Sequence, residues 1–211
     1  MDALECMKTR LSIREFKDKP VEFEKIANII EAGKSAPSAG NLQDWKFILV
    51  TEEKNRRAVS DACEQQVWMD SAPVHLVICS EPVRMQRMYG KRGEEVYSAQ
   101  NAAAATQNVL LAAHAQGLGA CWVGAFNEEL LRNALNISSD AIPRAVVAIG
   151  YPAEKPKPQQ KLTVIDVTFI EKWGNKIIDL AAFEGNYYKK VQTYKEKVEK
   201  LFGKVKKVIR A

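Results

Sequence analysis

Residues 35–45 read SAPSAGNLQDW, a run of small residues, one proline and two amides between a predicted helix and a predicted strand. The helix begins near Glu22, carries apolar residues at helical spacing and ends near Gly33. The strand, 46–51, is rich in Phe, Ile, Leu and Val. Because small residues let a backbone approach a planar ring closely, the segment is a candidate binding loop.

A second polar segment lies upstream, where residues 10–14 read RLSIR. If this pentad is extended, Arg10, Ser12 and Arg14 share one face and the two apolar residues share the other. If the pentad is helical, Arg10 and Arg14 still share a face. Two guanidinium groups and a hydroxyl suit a phosphate group, because arginine donates paired hydrogen bonds to phosphate oxygens. Taken alone, the pentad also fits ordinary surface charges that flank two core residues.

The composition favours a single soluble domain. The chain has 211 residues, of which 46% are hydrophobic, and it contains no run of eighteen apolar residues. The charged amphipathic amino terminus does not resemble a signal peptide, so we expect a cytoplasmic protein. Four cysteines without Cys-x-x-Cys spacing predict reduced, buried thiols, with neither disulfides nor a metal site: Cys6, Cys63, Cys79 and Cys121.

Positive charge is concentrated at the carboxy terminus, where residues 187–211 hold nine Lys or Arg and two Glu. The rest of the chain is near neutral, so neither nucleic acid nor membrane is an expected partner. Apolar residues at alternating spacings of three and four predict an amphipathic helix: Val191, Tyr194, Val198, Leu201, Val205 and Val208. We expect this helix to dock on its own protein, and peripheral binding to an anionic surface is the alternative.

The remaining elements do not alternate regularly between strand and helix, so we predict an α+β fold. Their expected positions are helices at 2–9, 54–66, 94–116 and 128–135, strands at 74–79, 120–123 and 145–149, an edge strand at Thr163–Phe169 and an irregular stretch at Glu81–Gly93.

Residues 117–124, GLGACWVG, look like a dinucleotide fingerprint, but the context is reversed, because the segment follows a helix and leads into a strand. The two histidines, His75 and His114, lie in apolar segments without a matched triad, so we interpret both as structural. No P-loop or metal-binding motif is present either. Such scarcity of catalytic side chains fits an enzyme whose cofactor supplies the chemistry.

Four segments in order resemble the nitroreductase family of flavin-dependent oxidoreductases: residues 10–14, 37–45, 117–124 and 150–152. The resemblance covers 1–172, which we expect to be the flavin-binding domain, with 173–211 as a carboxy-terminal arm. It implies a nitroreductase-like flavoprotein fold with a central mixed or antiparallel sheet flanked by helices. It also implies a domain-entwined homodimer, with two FMN molecules at the interface that both subunits contact.

The resemblance assigns roles to residues of the matching segments. The phosphate of FMN would be held by Arg10, Ser12, Arg14 and, where the family often has arginine, Lys161. The ribityl chain or ring would contact Pro37, Ser38, Ala39, Asn41 and Gln43 in the loop, and Trp122, Val123 and Gly124 further on. No side chain is assigned a catalytic role. Asp44 departs from the family, because many members carry proline there.

The implied activity is the transfer of hydride from NADH or NADPH through FMN to a small electron acceptor, such as a nitroaromatic or a quinone, by a ping-pong mechanism. Three alternatives stay open: a reductive dehalogenase, a flavin-cleaving enzyme of the same fold, and a flavin-storage protein without turnover. Nothing in the sequence selects the nicotinamide donor or the physiological acceptor.

Overall fold

A computed structural model describes residues 1–209, apart from the side chains of Leu180, Tyr194 and 197–209. The chain forms two compact units, one comprising Met1–Pro158 and the other beginning at Gln159. The boundary predicted at residue 172 stays a prediction.

The first unit is built on a four-stranded antiparallel sheet with the strand order β1-β2-β4-β3. The strands are β1 (Trp45–Val50), β2 (Val74–Ser80), β3 (Gly119–Val123) and β4 (Ile142–Gly150). All of β2 and most of β4 are buried, because helices cover both faces of the sheet. The predicted α+β class with an antiparallel sheet is confirmed.

Six helices accompany this sheet: α1 (Ala3–Thr9), α2 (Phe23–Lys34), α3 (Glu53–Ala62), α4 (Val83–Arg92), α5 (Ser98–Ala115) and α6 (Glu128–Leu135). Apolar residues of α2 and α5 pack with Leu76 and Val147 on one face of the sheet. Those of α3 and α6 pack with Val77 and Val146 on the other face. Because neighbouring strand residues point to opposite faces, the continuous apolar runs of β2 and β4 fill both cores.

Small residues bring α2 and α5 close together. A Cβ atom on Gly33 of α2 would lie 2.9 Å from Cγ2 of Val109 on α5 and 3.0 Å from the ring of Phe47 on β1. On α5 itself, Ala102, Ala105 and Thr106 are buried. The alanine-rich helix is therefore a core helix of this unit.

Two short helices are stabilised at their ends by side chains. Asp2 accepts a hydrogen bond from the backbone amide of Glu5 at the start of α1. Asn127 does the same for Leu130 at the start of α6, and the left-handed residue Asn136 ends that helix. Side-chain acceptors satisfy backbone amides that have no partner within the first helical turn.

The prediction of an irregular stretch at 81–93 is wrong, because these residues form α4 and lead through one π-helical turn into α5. The helix buries Met85, but most of its other residues are exposed and polar. Gly90 interrupts it with a left-handed backbone (φ 60°). Because the segment has a single buried apolar side chain and an internal glycine, it lacks the apolar periodicity that predicts an amphipathic helix.

The second unit contains the helical turn α7 (Val164–Val167) and the long helix α8 (Leu180–Ile209). The prediction of an edge strand at 163–169 is wrong, because Thr163 and Asp166 form a capping box that starts a helix. The helix predicted for the carboxy terminus is confirmed in α8. Of its predicted apolar stripe, only Val191 has a described side chain, so the role of that stripe stays a prediction. Along the described chain, no helix is apolar enough over a sufficient length to cross a membrane.

Candidate functional site

The pentad 10–14 is extended and lies along the outer edge of β3. Helix α1 ends at Thr9, and the residue after it, Arg10, has its backbone in the β region (φ −61°, ψ 126°). Ser12 then forms a parallel bridge with Ala120, and the amide of Ile13 donates to the carbonyl of Ala120 at 3.1 Å. Of the two conformations that the sequence allowed, the structure therefore adopts the extended one.

The three polar side chains of the pentad lie near Cys121 of β3. Burial raises the pKa of the Cys121 thiol, the charge of Arg14, a hydrogen bond with Ser12 and the charge of Arg10 lower it, and the charge of Glu154 raises it. Arg10 and Ser12 are half-buried and Arg14 is exposed, whereas Ile13 is buried. A phosphate at this edge could accept hydrogen bonds from both guanidinium groups and the hydroxyl.

Glu154, which sequence reasoning missed, and Trp68 hold the end of the pentad. The carboxylate of Glu154 accepts from the backbone amides of Arg14 at 2.6 Å and Glu15 at 3.2 Å. The guanidinium carbon of Arg14 lies 5.9 Å from the centroid of the Trp68 ring. The only sequence signal for Glu154 was its position two residues after the matched segment 150–152.

Two glycines allow the pentad segment to approach the sheet. A Cβ atom on Gly119 would lie 2.8 Å from Cβ of Ile13, and one on Gly150 would lie 2.9 Å from the ring of Phe16. Such distances are too short for two carbon atoms that are not bonded to each other. Gly119 is therefore needed for close packing, which explains a glycine that resembled part of a dinucleotide fingerprint.

Replacing Gly119 with alanine should push Ile13 away from β3 and lower the free energy of unfolding by about 1–3 kcal/mol, the usual cost of overpacking. The measurement is urea unfolding of the purified protein. Gly124→Ala is the matched control, because its Cβ atom would meet only the Trp122 indole nitrogen, at 3.8 Å. Equal stability of the two variants would contradict the packing role of Gly119.

The far end of β3 carries the second group of predicted residues. Trp122 is 38% exposed, Val123 is 3% exposed and Gly124 is exposed. In the described chain, the strand pairs with β4 on one side and meets the pentad on its other side only at Ala120. Along this edge, two arginines and a hydroxyl therefore lie near Cys121, and the exposed residues Trp122 and Gly124 lie at the end of the strand.

The loop 35–45 forms a tight, left-handed turn. The backbones of Gly40, Asn41 and Gln43 have positive φ angles of 58°, 56° and 49°. The hydroxyl of Ser38 accepts from the amide of Gln43 at 3.1 Å, which closes the turn. The left-handed backbone of Gly40 favours glycine, and a Cβ atom there would also have to displace the hydroxyl of Tyr89 on α4. Pro37, Asn41 and Gln43 are exposed, whereas Ser38 and Ala39 are half-buried.

Asp44, the departure from the family pattern, points into the protein. Its side chain is 1% exposed and accepts from Ser98 Oγ at 2.5 Å and from Asn101 Nδ2 at 2.6 Å. Burial lowers the pKa of the Arg144 guanidinium, and the charge of Asp44 raises it, so a positive charge lies near this carboxylate. Asp44 therefore belongs to the support beneath the loop.

Within one chain, the pentad and the loop are far apart. Trp45, at the end of the loop, pairs with Ser80, which pairs with Ile142 at the start of β4. Ala120, beside the pentad, pairs with Ile149 near the end of β4. These are diagonally opposite corners of the sheet, roughly 20 Å apart across the strands and roughly 20 Å along them. One mononucleotide cannot span this diagonal. The structure therefore brings the pentad and β3 together, but within one chain the loop lies far from both.

Lys161 is exposed and belongs to the second unit, and its proposed contact with phosphate stays a prediction. The two histidines have structural surroundings. His75 is fully buried in β2, and His114 bonds through Nε2 to the hydroxyl of Thr9 at 2.8 Å. All four cysteines are free and buried.

The sequence matches the profile of the nitroreductase family over residues 7–68 and 62–151, which together include the pentad, the loop and β3. The chain belongs to the nitroreductase family. The family resemblance predicted from the motifs is therefore confirmed.

Curated relatives within this family include enzymes named for nicotinamide-linked activities. A putative NADH dehydrogenase/NAD(P)H nitroreductase of Methanothermobacter thermautotrophicus is 34% identical over 82% of this chain and 88% of its own length. An FMN reductase [NAD(P)H] of Bacillus subtilis is 29% identical over 83% of this chain and 76% of its own length.

The fold is also that of solved nitroreductase structures. A putative NADH dehydrogenase/NAD(P)H nitroreductase from Parabacteroides distasonis, 30% identical, superimposes with a TM-score of 0.71 over 81% of this chain and 98% of its own. A hypothetical oxidoreductase from Bacillus subtilis, 26% identical, has a TM-score of 0.76 over 93% of this chain and 82% of its own. The predicted nitroreductase-like fold is thus confirmed.

Proposed function

We propose that this protein is an FMN-dependent oxidoreductase that takes electrons from NADH or NADPH and passes them to small acceptors such as nitroaromatics or quinones. The observation that supports the proposal is the outer edge of β3, where Arg10, Ser12 and Arg14 lie near Cys121 and the strand ends at the exposed residues Trp122 and Gly124. The nicotinamide- and FMN-linked names of the family's members support the same cofactors.

The residues present fit FMN. Arg10, Ser12 and Arg14 offer charge-assisted donors to its phosphate, and the backbone near Gly124 can contact its ring. FMN, when bound, supplies the hydride and electron chemistry, which explains why no catalytic side chain is needed. The roles of this chain are to hold the phosphate, orient the ring and leave one open face for donor and acceptor in turn. A shared pocket of this kind gives ping-pong kinetics.

We propose further that each site is completed by a second copy of the chain. The loop with Pro37, Ser38 and Asn41 lies across the sheet from the pentad, so one chain offers two incomplete half-sites. In a two-fold symmetric dimer the same pair of surfaces meets twice, which would complete two identical sites. Both subunits would then contact each FMN.

The exposed apolar side chains of the second unit also support a dimer. Trp173 is 93% exposed and Ile178 is 98% exposed. These two large apolar side chains leave surface that a protein partner could cover. Docking of the arm on a second copy would cover them.

The cytoplasmic location and the lack of nucleic-acid or membrane partners stay predictions.

The test of the proposed activity is the visible spectrum of the purified, FMN-loaded protein before and after anaerobic addition of NADH, then NADPH. We expect the flavin band to bleach with at least one donor, which also identifies that donor. A band that persists with both would favour flavin storage, and failure to bind added FMN would contradict the proposal. If the band bleaches, product analysis with halogenated aromatics and with flavin itself separates the dehalogenase and flavin-cleaving alternatives.

A further inference from the structure

The buried carboxylate of Asp44 begins a chain of hydrogen bonds that ends on the backbone of the proposed flavin loop. Asp44 lies at the end of the loop and accepts from Ser98 Oγ at 2.5 Å and Asn101 Nδ2 at 2.6 Å, both on α5. All three side chains are at most 4% exposed. Because a buried charge is costly unless it is hydrogen-bonded, a carboxylate at this position needs both donors.

Asn101 connects this carboxylate to the other side of the loop. Its Oδ1 accepts from the backbone amide of Ala39 at 3.0 Å. A carboxylate can only accept and a backbone amide can only donate, so the two partners permit one orientation of the Asn101 amide group. Asp44 therefore selects the orientation in which Asn101 offers its oxygen to Ala39.

The loop needs such support because its conformation is unfavourable by itself. Asn41 and Gln43 adopt left-handed backbone angles, which cost free energy in residues other than glycine. The relay from Asp44 through Asn101 to Ala39 ties both ends of this turn to α5. The helix itself is rigidly placed in the core by Ala105 and Val109.

We propose that Asp44 and Asn101 are positioning residues for FMN: through the Ala39 amide they hold the loop in the conformation that receives the flavin. This inference rests on the proposed function, because it assumes that the loop contacts FMN. Both side chains are buried beneath the loop, so their effect on FMN would pass through the loop backbone. Ser98 has a lesser role, since it holds only the second oxygen of the carboxylate.

The test compares FMN affinity, measured by fluorescence titration, with the visible spectrum of the bound flavin and the melting temperature of the apoprotein. Asp44→Ala and Asn101→Leu should each weaken FMN binding about tenfold, the scale expected when a charged hydrogen bond is lost, and should shift the visible band. Their double variant should bind no more weakly than either single one, because both break the same relay.

Two variants separate positioning from general damage to the core. Asp44→Asn should stay within about threefold of the wild type, because its Oδ1 still accepts from Asn101 while the Ser98 hydroxyl turns to accept from its amide. Thr106→Val removes another buried hydroxyl of α5, one that bonds only Ala102 O, at 2.7 Å, and it should leave FMN binding unchanged.

The inference is overturned if Asp44→Ala binds FMN as tightly as Thr106→Val does, or if Asp44→Asn loses as much affinity as Asp44→Ala. If Asp44→Ala does not fold, Ser98→Ala is the milder variant, and faster hydrogen exchange at the Ala39 amide is its expected result. Wild-type protein that binds no FMN would instead contradict the proposed function, and exchange at Ala39 would still test the relay.

Discussion

Replacing Arg10 and Arg14 together with glutamine should weaken FMN binding by about 100-fold or more, because two charge-assisted contacts to a doubly charged phosphate are lost. The fold should survive, since neither guanidinium contributes to the core and the pentad is held by the backbone bonds of Ser12 and Ile13 to Ala120. Equilibrium dialysis against FMN measures the affinity, and urea unfolding of the apoprotein measures the stability.

Arg57→Gln is the matched control, because it removes an exposed arginine that pairs with Glu53 on α3, away from β3. Its FMN affinity should equal that of the wild type. If the double variant also kept wild-type affinity, the pentad would have no role in phosphate binding, and the assignment of this edge to FMN would be wrong.

The double variant of Arg10 and Arg14 also tests whether each site is shared between two chains. Gly40→Val should damage the loop, because the left-handed backbone at this position (φ 58°) is strained for a β-branched residue. An equimolar mixture of the two defective proteins, after subunit exchange, should regain about a quarter of the wild-type FMN sites, since half of the dimers then carry one intact site. No recovery, despite exchange verified by native mass spectrometry, would contradict the shared site.

Lowering the pH from 7 to 5 should reduce the free energy of unfolding by about 2 kcal/mol through His75 alone. Burial in β2 lowers the pKa of His75 to about 4, against an ordinary value of 6.5. Between these two values the unfolded chain binds a proton and the folded chain does not. The stabilisation is therefore complete above pH 6.5 and is lost as the pH falls towards 4.

The surroundings of His75 explain its resistance to protonation. One ring nitrogen, Nε2, lies 3.0 Å from the carbonyl of Met69, which can only accept, so this nitrogen carries the hydrogen. The other, Nδ1, is buried and has no hydrogen-bond partner among the described residues. A second proton would therefore sit on a buried nitrogen with no acceptor, and the charge of Arg56 also opposes it.

Urea unfolding at pH 7, 6 and 5 checks this expectation. His75→Gln should flatten the pH dependence of the unfolding free energy, although the variant is less stable at every pH. His114→Gln is the control, and it should flatten the dependence less, because His114 is only half-buried. The role of His75 would be excluded if the wild type and His75→Gln lost stability equally between pH 7 and 5.

Local patterns predicted most of the elements. Helix α6 has the bounds expected from its apolar spacing, and strand β2 differs from the prediction by one residue. The predictions of these elements succeeded because spacing, capping and turn residues act between neighbours in the chain.

The features that the sequence did not predict have two causes. Helix α4 has one fully buried anchor, Met85, whose partner Asn101 lies on another helix. The inward position of Asp44 depends on Ser98 and Asn101, more than fifty residues away in sequence. No local pattern contains such distant partners. Turn α7 differs, because its capping pair, Thr163 and Asp166, is local, but it lies within a segment whose β-branched residues suggested a strand.

The sequence by itself determined the family and the class of fold. It also indicated which short segments carry hydrogen-bond donors suited to a phosphate and small residues suited to close contact with a planar ring. The tertiary structure decided where those segments lie. Antiparallel pairing in the order β1-β2-β4-β3 places the loop at one corner of the sheet and the pentad at the opposite corner. Strand order follows from packing between distant parts of the chain, whereas residue type and spacing specify only the local conformation. For this reason the motifs predicted a flavin site, and only the fold showed that its two segments lie at opposite corners of the sheet.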